Sequence, residues 1–366
     1  MDLTHHGYAL PATPRAQAVE AGGALLCAAD WQALERFSTL PTQEYAFADA
    51  LAGTMLRDTR IATFTVAGPE GLAALLPLCR DEGDTARWRM VGADEVFEPG
   101  DALCADPQAA LALARQLVAD GRPLTFDRLP TTSLLIPALR TAMRGRGLVT
   151  LRPAVAHPTI ALDASWHDPQ ARFKPRRQSD FRRARRRADQ FGTVSFEWLT
   201  PSPAEFDPLF DEAVQVEASG WKQQACTALA SDPVKCAFFR RYFATASASG
   251  RFHLAVMRID GRAMAVQMAV DFRQGLWLFK IGFDEAFAKA SPGTLLMLFA
   301  IGEAARRGFR AFEMLGEAED WISRFWTSDQ HDCVHLRSYP FNRRGMAALL
   351  ADGHAWLRHR LAKLRA

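Results

Sequence analysis

One pattern occurs twice in this sequence, about half its length apart, and that constrains the fold more than any single motif. Trp88-Arg-Met-Val-Gly92-Ala-Asp94-Glu95-Val-Phe97 is answered by Phe279-Lys-Ile-Gly282-Phe-Asp284-Glu285-Ala-Phe287. Gly92 and Gly282, Asp94 and Asp284, and Phe97 and Phe287 each stand 190 positions apart. The turns Pro69-Glu70-Gly71 and Ile259-Asp260-Gly261 keep that offset, and each lies between two apolar runs that read as hairpin strands. Downstream, a helical pattern over residues 109–121 and a short strand over 123–129 parallel a helix over 294–308 and a strand over 309–315. A shared order at near-constant spacing implies two units of one supersecondary kind.

Length and composition agree. The chain has 366 residues, 49% of them hydrophobic, enough to bury two ordinary cores. A formal charge of +3 is too mild to announce a nucleic-acid protein, so what matters is where the charge sits. No stretch approaches the roughly 18 apolar residues that a membrane span needs, and the first twenty residues lack a basic flank before an apolar run. A soluble, cytoplasmic protein is expected. The six cysteines (Cys27, Cys79, Cys104, Cys226, Cys236, Cys333) include no CxxC pair, so neither a zinc site nor a disulfide framework is expected.

The second half reads more regularly than the first. A basic helix over 179–191 stops at Gly192, a strand follows over 193–199, and helices over 204–218 and 233–249. Three strands (252–259, 263–272, 276–282) lead to a proline-started helix over 292–307 and the strand over 309–315. A short helix over 320–326, a strand over 333–339 and a basic amphipathic helix from Arg344 onward complete it. The fold class is α+β: tandem domains, each a mixed, mostly antiparallel central sheet flanked by helices. The expected units are residues 1–155, a degenerate N-terminal half; 156–192, a connecting segment with the basic helix; 193–342, the catalytic half; and 343–366, a basic C-terminal helix.

That order resembles the GNAT-fold acyltransferases, in the branch whose tandem halves are similar to the Fem-type aminoacyl transferases and the CelD-like proteins of cellulose biosynthesis. The residues carrying the likeness are Glu217-Ala-Ser-Gly-Trp221-Lys222, the run from Phe279 to Phe287, and Ser291-Pro292-Gly293 opening a helix. The resemblance covers residues 154–339 well and the N-terminal half only through the repeat. It implies that strands 276–282 and 309–315 splay apart and that the pantetheine arm of an acyl-CoA donor lies in the gap. The donor pyrophosphate would then sit at the start of the next helix, making Ile281, Gly282, Lys289, Ser291, Gly293 and Thr294 the donor-binding set. A helix opening Ser-Pro-Gly-Thr suits an anion by its dipole and by the close approach that Gly293 permits, although an ordinary N-cap with proline at N1 gives the same spelling. Acetyl-CoA users usually carry an Arg/Gln-x-x-Gly-x-Gly/Ala loop, which residues 286–293 do not spell. Acyl-CoA is thus expected as a donor substrate rather than a resident cofactor. Acetyl-CoA itself is not secured, and longer acyl-CoA, acyl carrier protein and aminoacyl-tRNA stay open.

Acyl transfer to an amine needs a neutral nucleophile, support for the oxyanion and a route for the departing proton. Three acids are candidates for the catalytic work. Glu217 ends a helix beside Gly220 and Trp221, Asp284 follows the first splayed strand, and Glu313 lies in the second among apolar residues. Each has a plainer reading: a solvated helix end for Glu217, a turn residue bonding its own backbone for Asp284, an arginine-paired strand carboxylate for Glu313. Trp221, Lys222, Lys280 and Trp321 are candidates for substrate contact. Lys280, a charge between Phe279 and Ile281 in a central strand, either points into the cleft or pairs with an acid such as Glu313 or Asp271. The acceptor expected is a small-molecule or cell-envelope-precursor amine, the envelope part resting on the resemblance alone.

Between Arg172 and Arg187 nine cationic residues meet only Asp180. Arg182, Arg183, Arg185, Arg186 and Arg187 point round more than one helical face, which leaves either a solvated linker or a seat for a polyanion: an acyl carrier protein, a tRNA or an anionic membrane surface. His331-Asp-Cys333-Val-His335 invites a metal reading, but on a strand these three side chains share one face, and no metal is expected. A Fem-type aminoacyl-tRNA ligase and a non-catalytic GNAT-fold binding protein are the alternatives to an acyl-CoA-dependent N-acyltransferase.

Overall fold

Both hairpins of the repeat form, for the reason their turn residues give. Asp260 and Gly261 take left-handed φ values of 49° and 80°, the twist that suits a tight antiparallel hairpin, and Gly71 takes a φ of 121° in the corresponding turn. The computed structural model describes residues 16–19, 25–80, 86–219, 229–316, 322 and 325–365.

The first half contributes β1 (Ala16–Val19), α1 (Ala28–Leu34), α2 (Tyr45–Ala52), β2 (Ile61–Gly68), β3 (Gly71–Arg80), β4 (Trp88–Met90), β5 (Leu103–Cys104), α3 (Pro107–Asp120), β6 (Leu124–Pro130), α4 (Leu135–Ala142) and β7 (Gly147–Ala161). The second contributes α5 (Pro175–Asp189), β8 (Val194–Leu199), α6 (Pro203–Ala218), α7 (Pro233–Ala248), β9 (Phe252–Ile259), β10 (Arg262–Phe272), β11 (Gly275–Phe283), α8 (Pro292–Arg306), β12 (Ala311–Met314), β13 (Gln330–Pro340) and α9 (Arg343–Arg365). One continuous sheet runs β1-β2-β3-β4-β6-β13-β7-β12-β11-β10-β9-β8, with β5 on β3.

From the centre outward the two halves run alike. On one side come β6, β4, β3 and β2; on the other, β12, β11, β10 and β9. In each, one parallel pair (β4 with β6, β11 with β12) is bridged by a helix, α3 or α8. The centre departs from the expected partition. β7 pairs with β12 of the other half, and β13 lies between β6 and β7. The boundary at residue 155 therefore falls inside a strand, and the strand given to the 193–342 unit completes the sheet of the first half. Strand alternation carries no record of which sheet a strand joins, so this exchange was invisible to pattern reading.

Two apolar layers cover the second half. Phe206, Phe210, Phe239, Phe243, Trp277 and Phe279 pack under α6 and α7 on one face, while Phe181, Leu276, Leu278, Leu296, Ile301, Phe312 and Met314 pack under α5 and α8 on the other. Helix α5 begins a turn earlier than expected, with Pro175 at N1. It has a seam after all: Phe181, Ala184 and Ala188, at helical spacing, are buried, and the helix packs against α8. Helix α5 is thus part of the helical layer of the second half, with Arg182, Arg183, Arg185, Arg186 and Arg187 exposed on its outside. Among the described residues no helix is long and apolar enough to cross a membrane.

Candidate active site

Strands β11 and β12 pair in parallel from Gly275–Ala311 to Leu278–Met314, and there the pairing stops. The Leu315 amide still donates to the Leu278 carbonyl at 3.2 Å, but β11 runs on to Phe283 with no β12 partner beside it. The cause sits in the register with β10. Leu278 faces Ala269 and Lys280 faces Met268, so Phe279 is an extra residue, a bulge that bends β11 away at the point of parting. The opening is a cleft of about 600 Å³ lined by Leu278 to Phe283 on one wall, Met314 to Gly316 on the other, Gly293 and Thr294 at the start of α8, and Trp326 and Arg177 at the rim. The corresponding place in the first half, around Gly92 and Phe47, encloses only about 10 Å³. Of these two places only the one in the second half is open.

The structure separates the candidate acids. Glu217 lines the cleft; it is 2% exposed, and its Oε2 accepts the Leu229 amide at 2.8 Å. Asp284 does not line it. Its Oδ1 accepts the Ala286 amide at 3.0 Å, capping the short helix that follows, and its Oδ2 meets Arg262 at 2.8 Å, which corrects the catalytic assignment to the plainer turn reading. Asp284→Ala is therefore expected to cost about 1 kcal/mol in urea unfolding, a cap's worth, and to leave turnover unchanged. Glu313 is likewise outside the cleft. Its carboxylate instead meets the histidines of β13 and β7, with His331 Nε2 3.2 Å away and His157 Nδ1 4.0 Å away, so it is paired by histidine rather than arginine and is not on the cleft wall.

Of the donor-binding set, Ile281, Gly282, Gly293 and Thr294 line the cleft, whereas Lys289 is exposed outside it and Ser291 is not on its wall. The opening of α8 is also less open than its spelling suggests, because the Thr294 and Leu295 amides both donate to the Ser291 carbonyl. Gly282 has a second reason to be glycine. A Cβ there would stand 2.5 Å from the Cα of Glu217, so the end of α6 rests directly on β11. Gly282→Ala is expected to lose about 2–3 kcal/mol in urea unfolding, because backbone rather than a flexible side chain must move. Lys280 lines the cleft, its ammonium 4.4 Å from the centroid of the Phe239 ring, and its charge also acts on the Glu98 carboxyl. Trp221, Lys222 and Trp321 lie outside the described residues.

One residue of the cleft and two behind its wall escaped sequence reading. Arg177, from α5, reaches the rim with its guanidinium 4.2 Å over the Phe325 ring, and its buried Nε makes no hydrogen bond among the described residues. Arg128, on β6, is 1% exposed and at a left-handed φ of 51° where β6 carries an extra residue against β13. Its guanidinium donates to the carbonyls of Phe97, Val155 and Gly316, tying the first half to the cleft wall. Glu98 lies 3.9 Å from Arg128, and its Oε2 accepts the Gly316 amide at 3.4 Å, directly behind that wall. Burial pushes the Glu98 carboxyl up to about 7, against the opposing pull of Arg128, Lys280, the Gly316 amide and Lys235. A lone acid between Phe97 and Pro99 offered no periodic signal, and only its bond to the Gly316 amide brings it behind the cleft wall.

The His331-Cys333-His335 expectation of one shared face does not become a shared site. His331 faces Glu313, His335 Nδ1 meets Asp127 and the Cys333 thiol turns toward the His331 carbonyl. Burial and the positive neighbours His331 and Arg128 pull His157 down to about 3, so its imidazole is neutral, whereas the bond to Glu313 raises His331.

Residues 175–322, which hold both cleft strands and α8, match the family model described as acetyltransferase (GNAT) domain. The fold is a GNAT fold. Solved structures support it across nearly the whole chain. FemX aligns at 9% identity and a TM-score of 0.55, covering 87% of this chain and 97% of that one. A conserved protein of unknown function from Bacteroides thetaiotaomicron aligns at 11% and 0.53, covering 88% and 99%. The C-terminal DUF2156 domain assigned to a lysylphosphatidylglycerol synthetase of Agrobacterium fabrum aligns at 16% and 0.51, covering 89% and 96%. At such identities the likeness speaks for the GNAT fold and not for a substrate. Comparison with curated proteins gives no match.

Proposed function

We propose that the chain is an N-acyltransferase that moves an acyl group from an acyl-CoA thioester to an amine. The parting of β11 from β12 beyond Leu278 carries this reading, because it opens a narrow, mostly apolar slot that ends at the first turn of α8. An extended thioester arm fits such a slot as an added strand would, with its phosphates toward Gly293, Thr294 and Arg177. The acceptor amine enters on the Glu217 and Lys280 side, attacks the thioester carbonyl and forms an oxyanion supported by backbone amides of β11 beyond the bulge. Glu98 takes the amine proton through a water at Gly316, and the thiolate leaves and is protonated. The envelope-precursor acceptor, the Fem-like or CelD-like branch and a cytoplasmic setting belong to this proposal.

A second reading has an observation of its own. The exposed arginines of α5 form a cationic face beside the cleft rim, which suits a tRNA-borne donor, and FemX is among the similar folds. A thermal-shift and thiol-release screen of the full chain separates the two. Acyl-CoA is expected to raise the melting temperature and, with an amine mixture, to release free thiol. Stabilisation by charged tRNA alone would favour the second reading, and salt-sensitive binding to vesicles or nucleic acid without turnover would remove both.

A further inference from the structure

At the seam of the sheet, three central strands each bring one ligand-bearing side chain to a single point. His157 comes from β7, Glu313 from β12 and His331 from β13, and one potential ligand atom from each lies within 4.8 Å of the other two. We infer that His157, Glu313 and His331 form a binding site for a divalent transition-metal ion of the zinc class, pinned across the seam where the two halves exchange strands.

Two buried atoms argue for a missing third party. His157 Nδ1, on a side chain only 2% exposed, has no hydrogen-bond partner among the described residues, and the buried Glu313 Oε2 has only the ion-pair contact of 3.2 Å with the half-exposed His331. His157 Nδ1 and Glu313 Oε2 stand 4.0 Å apart, too far to bond each other. Leaving the buried His157 nitrogen unmade is costly, and a cation between it and the Glu313 carboxylate would satisfy it. Zinc–nitrogen and zinc–oxygen bonds of about 2.0–2.2 Å place neighbouring ligand atoms of a tetrahedral site roughly 3.3–3.5 Å apart. The Glu313–His331 separation of 3.2 Å already matches, and the Glu313–His157 gap needs a closure of about half an ångström. Two imidazoles and one carboxylate are a donor set that zinc takes readily. The surroundings hold it in place: the His157 ring packs on Trp277 at 5.8 Å and on the His331 ring at 4.7 Å. The His331 side chain is half-exposed, so the site opens to solvent on one side, which gives the ion an entry path and room for water as a fourth ligand.

The consequence is structural. β12 and β13 are not neighbours in the sheet, since β7 separates them, and an ion held by all three would fix β12 against the strand exchange. β12 leads directly into the cleft wall at Met314 to Gly316, so metal occupancy would set how rigidly that wall stands.

The test uses the full chain, stripped with a chelator and titrated with Zn²⁺ alone by calorimetry and thermal shift. One ion per chain and a higher melting temperature are expected. His331→Ala, at a half-exposed position, should keep the fold and weaken binding by ~100-fold or more, since even residues behind a metal's ligands cost 10–100-fold. Glu313→Gln should do the same, while His335→Ala, whose imidazole is held by Asp127, should bind as the parent does. Co²⁺ in place of Zn²⁺ should give visible absorption that both ligand variants lose, a readout that does not depend on activity. Absence of saturable binding at one ion per chain, or binding that survives His331→Ala in a protein with native circular dichroism, overturns the assignment. It would leave a neutral His157 beside a His331–Glu313 hydrogen bond as the whole of the cluster.

Discussion

Arg128→Met is expected to destabilise the protein by about 3–5 kcal/mol, the usual consequence of removing one partner from a buried ion pair. For a chain of 366 residues that is a fall of roughly 4–7 °C in melting temperature. The expectation rests on what the guanidinium holds at once: three carbonyls, one of them Gly316 on the cleft wall, and the Glu98 carboxylate. Methionine fills much of the volume and replaces none of those bonds. The double variant Arg128→Met/Glu98→Gln should recover part of the loss, because the carboxylate that arginine neutralised is gone while the carbonyls remain unmet. A double variant no more stable than Arg128→Met would show that the two side chains do not act as a pair. With Arg128 alone removed, the Glu98 carboxyl should titrate still higher.

Glu98→Gln is expected to lower kcat/KM by about 10²–10⁴-fold, the range for loss of a positioned base. In the parent enzyme activity should rise with pH through about 7, as Glu98 gives up its proton, and the variant should lack that limb. Folding stability should move in the opposite direction. An unfolded carboxyl titrates near 4.5, and in the folded protein Glu98 keeps its proton up to about 7. Between those values the folded state binds more protons, so the contribution of this group is complete below 4.5 and is lost as pH rises to 7. Glu98→Gln should flatten that slope in urea titrations run at a series of pH values. Asp101 adds a slope of the same sign, since burial pushes it up to about 7 against bonds from the Ser133 hydroxyl and the Ala102 amide, and Asp101→Asn separates the two. An activity limb unchanged in Glu98→Gln would move the role of base elsewhere.

What the sequence disclosed was local in kind. The hairpin at Asp260-Gly261 and the helix behind Pro292 follow from turn chemistry and periodicity, the parting of strands 276–282 and 309–315 is implied by the family resemblance alone, and the structure has all three. Ile281, Gly282, Gly293 and Thr294 reached the cleft because their strand and helix were placed correctly. Asp284 misled because an acid after a strand looks alike whether it faces a substrate or caps the next turn. Glu98, Arg128 and Arg177 come from elements far away in sequence, and nothing in their own neighbourhoods signals a shared cleft. Their proximity arises from the strand exchange at the centre of the sheet, a property of topology rather than of pattern.

That exchange also dictates an order of assembly. β6 and β7 are made early, yet the place between them belongs to β13, which leaves the ribosome about two hundred residues later. Until then the nascent first half holds two unpaired strand edges facing a vacant lane, open to any sticky chain nearby. A slow final folding step, and dependence on a chaperone for soluble expression of fragments that end before residue 330, follow from where one late strand must return.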